Sequence, residues 1–209
     1  SEKPKVLHEV GGKAMLDYVI SASEAAGADD IAVIVGYKAD TVKAALPENL
    51  TAIEQKEQLG TGHAVLQALP FFENFNGNVL VLVGDAPLVR KETLEELVKA
   101  HEDGGFSATV LTAVFDDPTG YGRIVKKGDE LIKIVEHKDA TDEERSIKEI
   151  NSGMYCFDAQ ALKAALQAIN SDNVQGEYYL TDTIEILRGM GKKVGSYPTP
   201  DVDDIAAVN

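Results

Sequence analysis

The feature that most constrains this chain is an apolar run that ends at a glycine and an acid, GNVLVLVGDAPL, residues 77–88. Five successive apolar side chains, Val79 to Val83, do not alternate with polar ones. This pattern predicts a strand buried on both faces of a largely parallel sheet, with helices on either side. In such sheets ligands bind beyond the carboxyl ends of the strands, where Asp85 emerges. Asp85 is therefore a candidate metal-binding carboxylate; the alternative is that it caps a simple turn.

Helical and strand patterns alternate along the rest of the chain. Apolar spacing predicts helices over 13–26 and 38–46, and strands over 31–35 and 51–54. This alternation predicts right-handed crossovers and a mostly parallel sheet. A charged hairpin at 126–130 predicts a small antiparallel insertion.

Two later helices carry predicted start signals. Thr93 with Glu96 has the spacing of a capping box, in which side chain and backbone bond reciprocally at a helix start. Asp158 precedes an apolar helical pattern and is predicted to be its N-cap.

Composition argues against several classes of protein. Lys and Arg total 20 against 35 Asp and Glu, and the formal charge of -15 would repel a nucleic acid. A small phosphorylated ligand remains compatible, because lysines, amides and Mg²⁺ can neutralise it inside a cleft. The single cysteine, Cys156, lies among apolar neighbours and is predicted to be a buried hydrophobe in a reducing compartment. No apolar run approaches the roughly 20 residues of a membrane span, so we predict a soluble, cytoplasmic protein without nucleic-acid or membrane partners.

The segment EQLGTGHA, residues 57–64, is a glycine-bearing loop that leads into a helix. Unpaired amides at a helix start suit an oxyanion or a base carbonyl. The alternative is ordinary turn chemistry, with His63 as a helix-start residue rather than a ligand.

Seven motifs together resemble the uridyltransferase (pyrophosphorylase) domain of the bacterial bifunctional N-acetylglucosamine-1-phosphate uridyltransferase / glucosamine-1-phosphate acetyltransferase. They occur in the family's order across nearly the whole chain: PKVLH, EQLGTGHA, GDAPL, DPTGYGRI, VEHKDAT, EINSG and QGEYYLTD. The resemblance implies a Rossmann-like, three-layer α/β nucleotidyltransferase fold in one domain over 1–209. Residues 1–115 would bind the nucleotide and residues 116–209 the sugar.

The resemblance also implies an activity. Family members join N-acetylglucosamine 1-phosphate to UTP with Mg²⁺, giving UDP-N-acetylglucosamine, a precursor of cell-wall and lipopolysaccharide synthesis, and pyrophosphate. Two other interpretations stay open. One is a glycosyltransferase that uses a UDP-sugar, and the other is a UDP-sugar-binding fragment without catalysis.

Site residues follow from the same resemblance. Asp85 and Asn209 would hold Mg²⁺, and Lys5 would contact the phosphates, although a surface lysine is the alternative. The uracil-reading group would be Gln55, Gly60 and Thr61. The sugar-reading group would be Gly122, Glu136 and Asn151, for whose two polar side chains strand-end capping is the alternative.

The start of the sequence departs from the family. There, a strand in the middle of the sheet and a GxGTR loop stand before the motif that opens this chain, and no hexapeptide repeats follow Asn209 here. We therefore expect either a start that is missing from the sequence or a fragment whose sheet has a gap. We expect neither acetyl transfer nor the trimer of the family's β-helix.

Overall fold

The computed structural model describes residues 2–207, and Asn209 lies outside them. Helices alternate with strands along most of the chain. The strands are β1 (Glu9–Val10), β2 (Lys13–Ala14), β3 (Ala32–Val35), β4 (Thr51–Glu54), β5 (Asn78–Val81), β6 (Ala108–Val114), β7 (Arg123–Lys127), β8 (Glu130–Val135), β9 (Glu149–Asp158) and β10 (Val194–Pro198). The helices are α1 (Met15–Ala25), α2 (Ala39–Ala45), α3 (Thr61–Gln67), α4 (Leu69–Phe72), α5 (Lys91–Asp103), α6 (Asp142–Arg145), α7 (Ala159–Leu166) and α8 (Asp182–Gly189).

The central sheet is mixed. It has six strands, in the order β10-β6-β9-β7-β8, with β5 also paired to β9. Strands β5, β6 and β7 all run antiparallel to β9, so they share one direction, and β10 is parallel to β6. The sequence predicted antiparallel pairing only at the hairpin, which β7 and β8 do form. The direction of β9 was missed because an apolar run has the same pattern whichever way its neighbours run.

β9 changes partner along its length. It pairs with β7 at Ile150 and with β5 from Tyr155 onward, while it stays beside β6. The ladder with β6 shifts register between Val110 and Thr112, a bulge that bends the strand. Gly153 lies in this bend with φ of 80°, a backbone conformation that favours glycine. The bend lets one strand serve both halves of the sheet.

Helices cover both faces of this sheet. Side chains alternate along β9, so that Tyr155 and Phe157 pack against α3, α7 and α8. Met154 and Cys156 pack on the opposite face with α1 and α5. Cys156 is fully buried, as predicted, and burial raises the pKa of its thiol to about 12. Among the described residues no helix combines the length and apolarity that crossing a bilayer requires.

An apolar groove separates β3 from β5. Strand β3 pairs only with β4, and β5 only with β9, within the described part of the chain. A cavity of about 790 Å³ lies between the two free edges. Residues 79–83 are therefore only partly buried, although the sequence predicted full burial on both faces. Among the described residues, the edges of β3 and β5 that border the groove are therefore unpaired.

The end of the described chain is anchored by a buried carboxylate, Asp204, which is 1% exposed. It accepts hydrogen bonds from Arg90 Nε at 2.9 Å and Nη2 at 3.1 Å, from Thr93 Oγ1 at 2.8 Å and from Thr199 Oγ1 at 2.9 Å. Burial alone would raise the pKa of Asp204, but these bonds outweigh it and hold the pKa below its ordinary value.

One predicted helix cap is wrong and the other is confirmed. Helix α5 begins at Lys91, so Thr93 lies within it, fully buried, and uses its hydroxyl on Asp204 rather than as a cap. The spacing of neighbouring residues could not predict this hydrogen bond, because Asp204 is 111 residues away in the sequence. The Asp158 carboxylate does cap α7 by accepting from Ala161 N at 2.9 Å.

Free strand edges should be visible in hydrogen exchange. The carbonyl of Ile31 accepts from Thr51 N in β4, and that of Val35 accepts from Gln55 N just after β4. The alternate residues Ala32 and Ile34 therefore point their amides into the groove. We expect the Ile34 amide to exchange at least about 10-fold faster than those of Val33 and Val35 in NMR-detected deuterium exchange. Equal protection of all these amides would show that the β3 edge is covered.

Removal of the Asp204 charge should destabilise the fold. We expect Asp204→Asn to lower the free energy of unfolding by about 2 kcal/mol at pH 7, because a buried acceptor of charge-assisted bonds is lost. The lowered pKa means that this contribution exists at neutral pH and disappears as pH falls through the folded-state pKa, so the two proteins should converge in acid.

Urea denaturation at several pH values measures this difference. The exposed neighbour Asp203→Asn is the control, with an expected change within about 0.5 kcal/mol. A difference for Asp204→Asn that stays constant down to pH 2 would contradict the assigned role of the charge.

Candidate active site

Lys5 and Asp85 meet at the carboxyl end of β5. Lys5 lies in a 3-10 turn, Lys5–Leu7, and its Nζ donates to Asp85 Oδ2 at 3.0 Å. The two side chains are 46% and 28% exposed, so solvent reaches the pair. A Cβ on Gly84 would lie 3.0 Å from Val6 Cγ1, which shows how closely the two segments pack. The structure thus brings together two residues that the resemblance assigned to one phosphate site.

The chemistry of Asp85 fits a hard cation. Its carboxylate already faces a positive charge, and carboxylate oxygen is a preferred ligand of Mg²⁺. No group of three or more His, Cys, Asp or Glu that could hold a metal ion occurs among residues 2–207. Mg²⁺ needs few protein ligands when phosphates and waters complete its shell. Asn209, the second predicted ligand, lies outside the described residues.

Gln55 follows β4 and is almost completely buried, with 7% exposure. Its Nε2 donates to Gly60 O at 3.2 Å and lies 3.0 Å from His63 Nδ1. The side chain therefore closes the loop that joins β4 to α3. Its Oε1 accepts no hydrogen bond from the described residues.

Gly60 and Thr61 pack against the segment before α8. Gly60 has φ of 112°, and a Cβ there would lie 2.6 Å from Tyr178 O, so only glycine fits. The amide of Gly62 donates to the same Tyr178 oxygen at 2.7 Å. Thr61 Oγ1 accepts from Leu180 N at 2.9 Å. The Thr61 hydroxyl is thus already engaged within the protein.

Gly122, Glu136 and Asn151 converge, although they come from three separate segments. A Cβ on Gly122 would lie 3.5 Å from Asn151 Cβ and 3.5 Å from Glu136 Oε2. The Gly122 carbonyl also accepts from Asn151 N at 2.9 Å. The absence of a side chain at Gly122 leaves space between the carboxylate and the amide. The three residues of the predicted sugar group therefore form one wall.

The polar atoms of this wall are partly tied to the protein. Glu136 Oε1 accepts from Thr181 Oγ1 at 3.1 Å. Asn151 Oδ1 accepts from Gly153 N at 2.9 Å, and its Nδ2 donates to the Tyr155 hydroxyl at 3.3 Å. These bonds hold both side chains in one orientation, as a site for a specific ligand requires.

Two carboxyl groups in and beside the wall have raised pKa values. Desolvation raises the pKa of Glu136, and the hydrogen bond from Thr181 only partly offsets this. Desolvation, together with Glu185, Glu136 and Asp139, also raises the pKa of Asp182 to about 6. Shifted carboxyl pKa values of this kind cluster at functional sites.

Two contacts connect the predicted sugar group with the residues assigned to the phosphates and to the base. A Cβ on Gly153, two residues after Asn151, would lie 3.1 Å from Val83 Cγ1, two residues before Asp85. Leu180 contacts Thr61, and the next residue, Thr181, contacts Glu136. The roles assigned to these residues stay predictions, and the fold arranges those within residues 2–207 along a connected set of segments.

Sequence reasoning missed the residues that orient the predicted ones. Thr181, Tyr155 and His63 contact Glu136, Asn151 and Gln55 respectively. Thr181 lies in the motif QGEYYLTD and His63 in the motif EQLGTGHA. Their place in these motifs was a signal that could have identified them. Thr181 is 45 residues from Glu136 in the sequence, so a local pattern could not predict their contact. His63 is only 8 residues from Gln55, so their contact was within reach of a local pattern.

Comparisons with known proteins identify the family of this chain. A family model described as nucleotidyl transferase matches residues 1–205. The Bifunctional protein GlmU of Alkaliphilus metalliredigens is 50% identical over 210 residues, covering 100% of this chain and 46% of the relative. The protein of the same name from Acetivibrio thermocellus is 47% identical with the same coverage. The chain thus spans about half the length of the curated relatives it matches.

The fold is shared with more distant proteins. A UDP-glucose pyrophosphorylase, solved as a complex with UDP-glucose, superposes with a TM-score of 0.77 at 15% identity. The superposition covers 97% of this chain and 86% of that one. Because the family match extends over nearly the whole chain and the α/β fold with its mixed central sheet is the same, this chain belongs to the nucleotidyl transferase family and is a nucleotidyltransferase.

Proposed function

We propose that this chain transfers a uridylyl group from UTP to N-acetylglucosamine 1-phosphate, giving UDP-N-acetylglucosamine and pyrophosphate. The observation that carries the proposal is the convergence of Gly122, Glu136 and Asn151 into one polar wall. A carboxylate accepts from sugar hydroxyls, and an amide both donates and accepts, which suits a polyol. The 47% to 50% identity with proteins named Bifunctional protein GlmU supports the same assignment.

The proposed reaction is an in-line displacement. A phosphate oxygen of the sugar phosphate attacks the α-phosphorus of UTP, a new P–O bond forms, and the bond to the β-phosphate breaks to release pyrophosphate. No covalent enzyme intermediate is needed, so the protein acts by positioning two anions and offsetting their charge. Lys5 supplies a mobile positive charge at the phosphates. Because its side chain is partly exposed, its ammonium group can leave Asp85 and pair with a phosphate of the ligand.

A magnesium ion fits this site, where Asp85 and Asn209 would hold it and its charge would offset that of the phosphates. The uracil is assigned to Gln55 and the backbone of Gly60 and Thr61, since the Thr61 hydroxyl is engaged by Leu180. We place the reaction in the cytoplasm, where its substrates UTP and N-acetylglucosamine 1-phosphate are available.

The alternatives give different products. A UDP-sugar-dependent glycosyltransferase would release UDP and modify an acceptor. A binding module would bind UDP-N-acetylglucosamine, measured by calorimetry, without consuming UTP. Release of pyrophosphate that requires both UTP and the sugar phosphate separates the proposed activity from both.

Loss of the Asp85 charge should abolish this activity without loss of the fold. With UTP, the sugar phosphate and Mg²⁺, we expect Asp85→Asn to lower kcat/KM by about 100-fold or more, as removal of transition-state charge stabilisation does. The melting temperature should hardly change, because a partly exposed ion pair contributes about 1 kcal/mol at most. A coupled pyrophosphate assay and a thermal melt measure both.

Asp129→Asn, in the exposed turn between β7 and β8, is the control and should behave as the unaltered chain does. If Asp85→Asn unfolds the protein, Asp85 is a structural cap. If pyrophosphate release requires no divalent cation, the metal assignment fails.

Changes in the sugar wall should affect one substrate selectively. Glu136→Gln keeps an acceptor for Thr181 but removes the charge, and Asn151→Asp keeps the acceptor for Gly153 N but removes the donor. We expect each substitution to raise the KM for the sugar phosphate about 10-fold, because each removes one hydrogen bond to a charged or polar partner. The KM for UTP should change far less.

Steady-state kinetics with each substrate varied in turn provide the measurement. Glu130→Gln, on the exposed surface of the same hairpin, is the control. Equal increases in both KM values would remove Glu136 and Asn151 from the sugar wall.

A further inference from the structure

We infer that His63 is a positioning residue for base selection, which orients the Gln55 amide so that its oxygen faces the nucleotide base. The inference rests on the proposed function, in which Gln55 lies at the uracil. It assigns a role to a residue that the motifs suggested only as a helix start. The evidence is the set of hydrogen bonds around these two side chains.

Two acceptors hold the Gln55 NH₂ group. The Gly60 carbonyl, which can only accept, lies 3.2 Å from Nε2, so the nitrogen and not the oxygen must face it. His63 Nδ1 lies 3.0 Å from the same nitrogen, the shorter of the two contacts. With both N–H groups engaged, Oε1 is the part of the amide left for a ligand.

His63 is itself held in place. Gln67 Nε2 donates to His63 O at 3.0 Å and lies 3.3 Å from His63 Nε2. The Tyr178 ring lies with its centroid 6.4 Å from that of the imidazole, on the segment that also packs against Gly60. A neutral imidazole has one accepting nitrogen and one that carries a proton. Both ring nitrogens face an amide NH₂ group, so only one of the two contacts is a hydrogen bond. Because the contact at Nδ1 is the shorter, we assign the acceptor to Nδ1 and the proton to Nε2. Gln67 then holds His63 through its bond to the His63 carbonyl and not through Nε2.

This orientation selects uracil over cytosine. Uracil presents an N3–H donor, which an amide oxygen can accept, whereas cytosine presents an unprotonated N3 that repels it. A site that hydrogen-bonds one base leaves its own polar group unpaired with the other. Without the Nδ1 acceptor, the Gln55 amide is held only by the longer bond to Gly60 and can turn its NH₂ group toward the base.

A matched pair of variants tests this step. His63→Leu and His63→Asn have side chains of the same shape, but only Asn keeps an acceptor oxygen at the δ position. We expect His63→Leu to reduce the UTP-over-CTP ratio of kcat/KM and of calorimetric Kd about 10-fold, the effect of one hydrogen bond. His63→Asn should restore most of the ratio. The kcat with saturating UTP should hardly change, because none of the contacts described for His63 involves the phosphate site.

A measurement on the unaltered chain makes the test independent of variant folding. The ¹⁵N shifts of His63 should show a proton on Nε2 and none on Nδ1. A proton on Nδ1, or an unchanged base preference in a folded His63→Leu protein, would overturn the role of His63. If the unaltered chain consumes and binds neither nucleotide, the proposed function itself fails instead.

Discussion

The hydrogen bonding of β9 is the constraint on which the rest of the structure depends. This strand pairs with β5, β6 and β7, so it joins elements that are far apart in the chain. The bend at Gly153 allows the change from β7 to β5, and its positive φ favours glycine, with a Cβ there only 3.1 Å from Val83 Cγ1. Without that bend, Asn151 could not lie beside Gly122 while the end of β9 stays paired with β5.

The segment before α8 has a comparable role for the loops. The Tyr178 carbonyl accepts a hydrogen bond from Gly62 N, and Leu180 N donates to Thr61 Oγ1. The Thr181 hydroxyl donates to Glu136. Residues assigned to the base and residues assigned to the sugar are therefore supported by the same few positions. A change in this segment should alter both groups together, which is useful when kinetic effects on two substrates are compared.

The groove between β3 and β5 shows what the described chain leaves unsatisfied. Free strand edges carry unpaired amides and carbonyls. The apolar side chains that line the groove are not stabilised by burial where they contact water. The remaining layers still form a continuous core around β6 and β9, because helices cover both of their faces. The gap lies beside the Lys5 and Asp85 pair, because Lys5 and Gly84 both line it.

The sequence by itself determined the local elements and indicated the candidate residues of the site. Helix and strand positions, the hairpin and the Asp158 cap follow from periodicity and short-range bonding, which act within a few residues. The motifs also identified the candidate side chains, including Glu136 and Asn151. Only the tertiary structure decided the direction of β9, the use of Thr93 by Asp204, and the orientation of Gln55 by His63. Each of these depends on a partner in another element, and a pattern of single residues does not record which distant groups will share a hydrogen bond.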